Sequence, residues 1–154
     1  MAKRVNSRRK VPVMIEIRDS HEVEGERFLS EFMCGGVLAE LPEESGGGWQ
    51  LNYTEQGEGL EGSRTALRVQ NRLVSLSREG QYPLEITLEQ GVRHSCYYNT
   101  PEGLMHMGVF ARAVESDLSY TGGRIKLAYT LDNCADLRSS NLMEIKVQPS
   151  IHMQ

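Results

Sequence analysis

His94, Cys96 and Tyr98 fall two residues apart, and in an extended chain that spacing sends all three side chains to one side. An imidazole, a thiol and a phenol held together could move a proton, contribute to a metal site, or orient a ligand through hydrogen bonds. They belong to residues 91–110, GVRHSCYYNTPEGLMHMGVF, which also hold Arg93, His106 and two methionines. A closed zinc site needs about four ligands, and Cys34, Cys134 and His106 stand apart from the His94-x-Cys96 pair, so no metal is expected. Met105-His106-Met107 offers two kinds of haem ligand. Alternation turns both methionines away from the histidine and into line with Val109, Ala111 and Ala113, an apolar row that reads as core, so no cofactor is expected either. No serine sits in a G-x-S-x-G elbow, and carboxylate pairs such as Glu43-Glu44 fall in loops, so no catalytic residue is assigned. The chemistry left is ligand binding. Tyr98, His94, Arg93 and Met107 on this stretch, with Tyr53 and Tyr129 elsewhere, are the candidate contacts. The plain alternative is that His94 and Tyr98 are satisfied by neighbouring strands, as most buried polar side chains are.

The elements that must position these groups are strands. Period-two alternation recurs from Val11 to Val147. Val11, Val13, Ile15 and Ile17 oppose Pro12, Met14, Glu16 and Arg18. The pattern returns in Trp49-Leu51-Tyr53, Leu84-Ile86-Leu88, Ile125-Leu127-Tyr129-Leu131 and Met143-Ile145-Val147. Weaker strands are expected over 28–41, bent at Gly35-Gly36, and over 63–69, 73–78, 92–99 and 104–114. Between them stand turn formers such as Gln70-Asn71, Gln90-Gly91, Pro101-Glu102-Gly103 and Gly122-Gly123. Connections this short join antiparallel neighbours, because parallel crossovers need a dozen or more residues. About 8–10 one-sided strands must therefore bury their dry faces together in an all-β, antiparallel meander, and closing it into a single barrel removes the exposed edges. A two-sheet sandwich has the same periodicity and remains open at this point.

The chain has 154 residues, enough for one domain whose folding removes roughly 70% of the unfolded surface from water. Residues 1–10 carry five of the 17 basic residues and no apolar run, and read as a disordered basic tail. The barrel is expected over 11–148, followed by a short tail, 149–154. The formal charge is −4 overall and −9 for residues 11–154, which disfavours a phosphate backbone as partner except through the tail. No stretch approaches the roughly 18 apolar residues of a membrane helix. Three scattered cysteines without a signal sequence suit a reducing, cytoplasmic setting.

Several phrases resemble the YwiB-like family of uncharacterised bacterial proteins. They are Val13-Met-Ile-Glu-Ile-Arg-Asp19, Gly36-Val-Leu-Ala-Glu-Leu41, Glu61-Gly62 before Thr65-Ala-Leu67, and Ile125-Lys-Leu-Ala-Tyr-Thr-Leu131. Most telling are Arg93-His94, Tyr97-Tyr98, Thr100-Pro101, Gly103 and Met107-Gly-Val-Phe110. The resemblance implies a closed antiparallel barrel of the calycin, lipocalin-like kind and supplies no catalytic residues. The chain departs from it in its basic first ten residues, in Gly46-Gly-Gly48, and at Glu102, where an aromatic is expected.

Three functions fit these residues. The first is a non-enzymatic binder of a small apolar or amphipathic ligand inside the barrel. The second is a packed barrel that meets a protein or a nucleic acid through its outer face or basic tail. The third is an enzyme using His94 or Tyr98 as acid or base. Because the first ten residues lack periodicity, removing them is expected to leave the fold intact, with the melting temperature shifted by less than about 5 °C in a thermal unfolding scan.

Overall fold

The computed structural model describes residues 9–55, 62–80, 83–133 and 138–150. The strands are β1 (Lys10–Val23), β2 (Glu26–Glu40), β3 (Trp49–Thr54), β4 (Arg64–Gln70), β5 (Leu73–Glu79), β6 (Leu84–Glu89), β7 (Arg93–Thr100), β8 (Gly103–Ser116), β9 (Gly123–Asn133) and β10 (Arg138–Pro149). Each pairs antiparallel with the next, and β10 returns to β1, so the meander closes on itself as a barrel. One 3-10 turn, Glu43–Ser45, lies between β2 and β3. The strand borders fall at Lys10 and Pro149, each one residue outside the 11–148 span read from the sequence. Among the described residues no helix is long and apolar enough to cross a membrane.

Register converts the alternation into a core. Leu38, Leu51, Leu67, Leu76 and Ile86 stand side by side across β2 to β6. Ile17, Ile145 and Ile125 do the same across β1, β10 and β9. All are buried, and each such enclosed side chain stabilises the fold by about 1.5–3 kcal/mol. Together these rows fill the middle of the lumen. Gly36 serves this packing directly, since a Cβ there would collide with Ile15 Cδ1 and lie 2.6 Å from the Asn52 carbonyl oxygen. The bend expected at Gly35-Gly36 is thus a close approach of β2 to β3 over a neighbouring core side chain.

The two ends of the barrel differ. At the end holding the β2–β3 and β8–β9 loops, Trp49 meets Tyr120 edge-on, with ring centroids 4.9 Å apart. Arg9 covers the other side of Tyr120 at 4.4 Å, an exposed cation–π contact worth about 0.5–1 kcal/mol. Leu41 is buried beneath them. At the opposite end the walls are of unequal height. Strands β1, β2, β8, β9 and β10 have 11 to 15 residues, whereas β3 to β6 have six or seven. The result is a slanted mouth, with the long strands standing above it on one side.

The wall is thin between β6 and β7. β6 and β7 share the pair Leu84↔Tyr98 at one end, and an isolated bridge, Glu89↔Val92, closes the turn at the other. Side chains and loop backbone hold the rest. His94 Nε2 lies 2.9 Å from Glu89 Oε1, and the Val114 N–H donates to Gln90 Oε1 at 3.0 Å, beside the irregularity between Ala111 and Ala113.

Leu127 is 1% exposed and its neighbour Lys126 faces solvent. Leu127→Ala should therefore cost about 2–5 kcal/mol through lost burial and a residual cavity, while Lys126→Ala stays within about 0.5 kcal/mol. Urea denaturation of the two variants checks the inward phase of β9.

Candidate functional site

One step above the aliphatic row the lining changes character. Moving two residues along each strand keeps the inward phase, so the next row is set by register alone. It runs Gly36, Tyr53, Thr65, Arg78, Leu84 across β2 to β6. On the tall wall the same step carries the row Val13-Ile15-Ile17 to Asp19, and Ile125-Leu127 to Tyr129. Asn141 pairs with Tyr129 and with His21. Cys34, opposite Ile15, and Glu55, just past β3, complete a polar layer at the mouth.

Its internal contacts are specific. The Thr65 hydroxyl donates to Glu55 Oε2 at 2.6 Å. Arg78 Nη2 lies 3.7 Å from the same oxygen, the two side chains being 14% and 7% exposed. Asn141 Nδ2 donates to the Ser139 hydroxyl at 3.0 Å and to the Ser139 carbonyl at 3.3 Å. Tyr53 and Tyr129 are buried. Burial pushes both phenols above the ordinary value, Glu55 adding to the shift at Tyr53 and Asp19 at Tyr129, against the opposing charge of Arg78. Both therefore remain neutral donors at physiological pH. Burial likewise raises the Cys34 thiol, which makes it an inert thiol rather than a nucleophile.

Two groups in this layer are unmatched. Asp19 Oδ1 and Arg78 Nε are buried and have no hydrogen-bond partner among the described residues. The charges of Asp19 and Arg78 act in opposite directions on the Tyr129 phenol. The Asp19 carboxyl is raised above its ordinary 3.8, chiefly by burial and further by Glu55, with His21 and the Ser20 backbone opposing. A buried polar group left unmatched costs about 1–3 kcal/mol. Around the layer stand half-buried Phe32, Met107 and Leu131, packed against the core, and the stacked rings of His21 and Phe28, 5.0 Å apart. The arrangement leaves an acceptor atom of Asp19 and a donor atom of Arg78 without a partner in a layer bordered by apolar side chains. It lacks an activated nucleophile among the described residues, and no group of three or more His, Cys, Asp or Glu there could hold a metal ion.

The sequence candidates distribute as follows. Tyr53 and Tyr129 are in the polar layer, and Met107 is half-buried at its edge. Tyr98 has its backbone on the row of Arg78 and Leu84, and its side chain lies outside the described residues. His94 and Cys96 take the inner face of β7, but His94 sits near the seam, with Glu89. Arg93 is on the outer wall, where its guanidinium grips Asp132 through two hydrogen bonds of 2.7 and 2.8 Å. Its path crosses β8 at Gly108, where a Cβ would collide with the Arg93 guanidinium. Asp19, Glu55, Thr65, Arg78 and Asn141 went unnoticed in the sequence. The signal was present as phase, since each falls on, or in Glu55 just past the end of, the inward parity of a strand whose neighbouring positions are apolar or aromatic.

Residues 13–145 match the model of a domain of unknown function, DUF1934. Among solved structures the chain is similar to the ywiB protein from Bacillus subtilis, with a TM-score of 0.80 at 20% identity, covering 92% of this chain and 94% of that one. That likeness supports the fold. A search of curated proteins finds no match.

Because the folded state holds its Asp19 proton more tightly than the unfolded chain, stability falls as pH rises from 3.8 through the raised value. Asp19→Asn removes that term. The variant should melt higher than the parent near neutral pH and show a flatter dependence of melting temperature on pH above 3.8; an equal or lower melting point at pH 7 would mean that the carboxylate is matched.

Proposed function

This chain belongs to the DUF1934 family, a domain of unknown function, and from the geometry of its mouth we propose that it is a non-enzymatic binding protein for the head of a small amphipathic molecule. The observation that carries this reading is the pair of unmatched buried groups, Asp19 Oδ1 and Arg78 Nε, in one polar layer. The aliphatic rows beneath fill the middle of the lumen, which favours a ligand held at the mouth over a long chain threaded through the barrel.

Charge selects the head group. Asp19 and Glu55 supply two carboxyl groups against the one guanidinium of Arg78, so the layer offers more acceptors to a donor than it offers cations to a ligand carboxylate. An ammonium or another donor-rich head meets Asp19 directly and leaves Arg78 an acceptor to find on the ligand, in its hydroxyl or amide oxygen. The apolar part then rests on Phe32, Met107 and Leu131. Free, buried Cys34 and Cys96 support a reducing compartment and hence the cytoplasm.

Isothermal titration calorimetry with a short-chain amino alcohol and with the carboxylic acid of equal chain length tests the reading. The amino alcohol should bind and the acid should not. Asp19→Asn should weaken amine binding by about 10- to 100-fold, the range of a charge-assisted hydrogen bond. Equal binding of both compounds, or of neither, overturns the proposal.

A further inference from the structure

Among the described residues the upper half of β2 has an unpaired edge. β3 pairs with β2 over Gly36–Glu40, and among the described residues no strand pairs with the outer edge of β2 from Glu26 to Gly35. That segment is also apolar where it is exposed: Leu29 is 74% exposed, Met33 59% and Phe28 46%. An edge of this kind attracts another strand.

We propose that a second copy of this chain covers it, the two β2 strands pairing antiparallel about a two-fold axis at Leu29. Charge order argues for that occupant and that register. Across the outer wall one row of cross-strand neighbours reads Glu31, Arg18, Glu144, Lys126, Glu115, strictly alternating in sign over five strands. It ends at the β2 edge on Glu31, which Arg18 contacts at 2.6 Å, and the next position calls for a cation. With Leu29 facing Leu29 of the second copy, Arg27 of that copy falls opposite Glu31, and its own cross-strand neighbour is Glu22. The alternation then continues across the junction in both directions, with an apolar pair on the axis. Centring on Glu31 sets like charges face to face. Centring on Ser30 sets Arg27 against Met33 and Leu29 against Glu31. A shift by an odd number of positions puts outer side chains opposite inner ones.

Sedimentation equilibrium of the full chain across micromolar concentrations should show a reversible dimer. Arg27→Glu and Glu31→Arg each create two like-charge pairs and should weaken dimerisation by about tenfold or more, whereas the double charge swap should restore it to within a few-fold of the parent. Leu29→Cys should give a disulfide-linked dimer under mild oxidation, because facing residues on the axis lie within disulfide reach, and Glu31→Cys should not. Circular dichroism confirms that each variant is folded; should the Glu31 variants fail to fold, Arg27→Glu and Leu29→Cys decide. A chain that stays monomeric overturns the proposal, and amides of residues 26–32 protected from exchange in that monomer would identify the chain's own residues as the cover. A dimer unaffected by Arg27→Glu, or a double swap that folds and remains monomeric, also overturns it.

Discussion

Every strand of this barrel has to hold its two-residue alternation in phase with both neighbours, because a slip of one position would turn an entire dry face to water. Closure makes the condition global. The phase set by Ile15 against Cys34 must still agree when the sheet returns to Ile15 through Val147. The row Leu38-Leu51-Leu67-Leu76-Ile86 and the row Ile17-Ile145-Ile125 are what that agreement produces. Gly36 belongs to the same constraint, giving up its side chain so that Ile15 and the Asn52 carbonyl can occupy the space.

The polar layer inherits its geometry from those rows. Tyr53, Thr65 and Arg78 are neighbours because Leu51, Leu67 and Leu76 are neighbours two residues away. The aliphatic rows also fix the dielectric surroundings. Buried against them, the two phenols keep their protons and Asp19 holds its own more tightly. A layer of this composition weakens the fold where Asp19 Oδ1 and Arg78 Nε go unmatched, and natural proteins tolerate such costs where a ligand offsets them.

The fold was legible in the sequence because strand periodicity is local: Trp49-Leu51-Tyr53 announces its dry face within five residues. The weaker strands were legible from turn formers at their ends. Of the candidate site, Tyr53, Tyr129 and Met107 were legible, residues already standing in the alternation. Asp19, Glu55 and Arg78 come from distant parts of the chain and look individually like surface charge; what distinguishes them is parity, with Asp19 following Ile15 and Ile17, and Arg78 following Val74 and Leu76. The Gly91–Phe110 stretch drew attention by residue type, yet two of its polar groups hold the wall: Arg93 ties β7 to β9 across Gly108, and His94 meets Glu89 beside the seam. Residue type marks groups able to do chemistry, and register decides which of them meet.

The return of β10 to β1 imposes an order in time. Val13 finds its partner in Pro149 and Val23 in Ser139, so the first strand made is completed by the last. At ribosomal speeds of about 5–20 residues per second the free side of β1 waits on the order of ten seconds for its neighbour. The charged residues on β1, Glu16, Arg18 and Glu22 on one face with Asp19 on the other, interrupt the apolar run along that waiting edge. They are the kind of gatekeepers that keep growing chains on neighbouring ribosomes from zipping together.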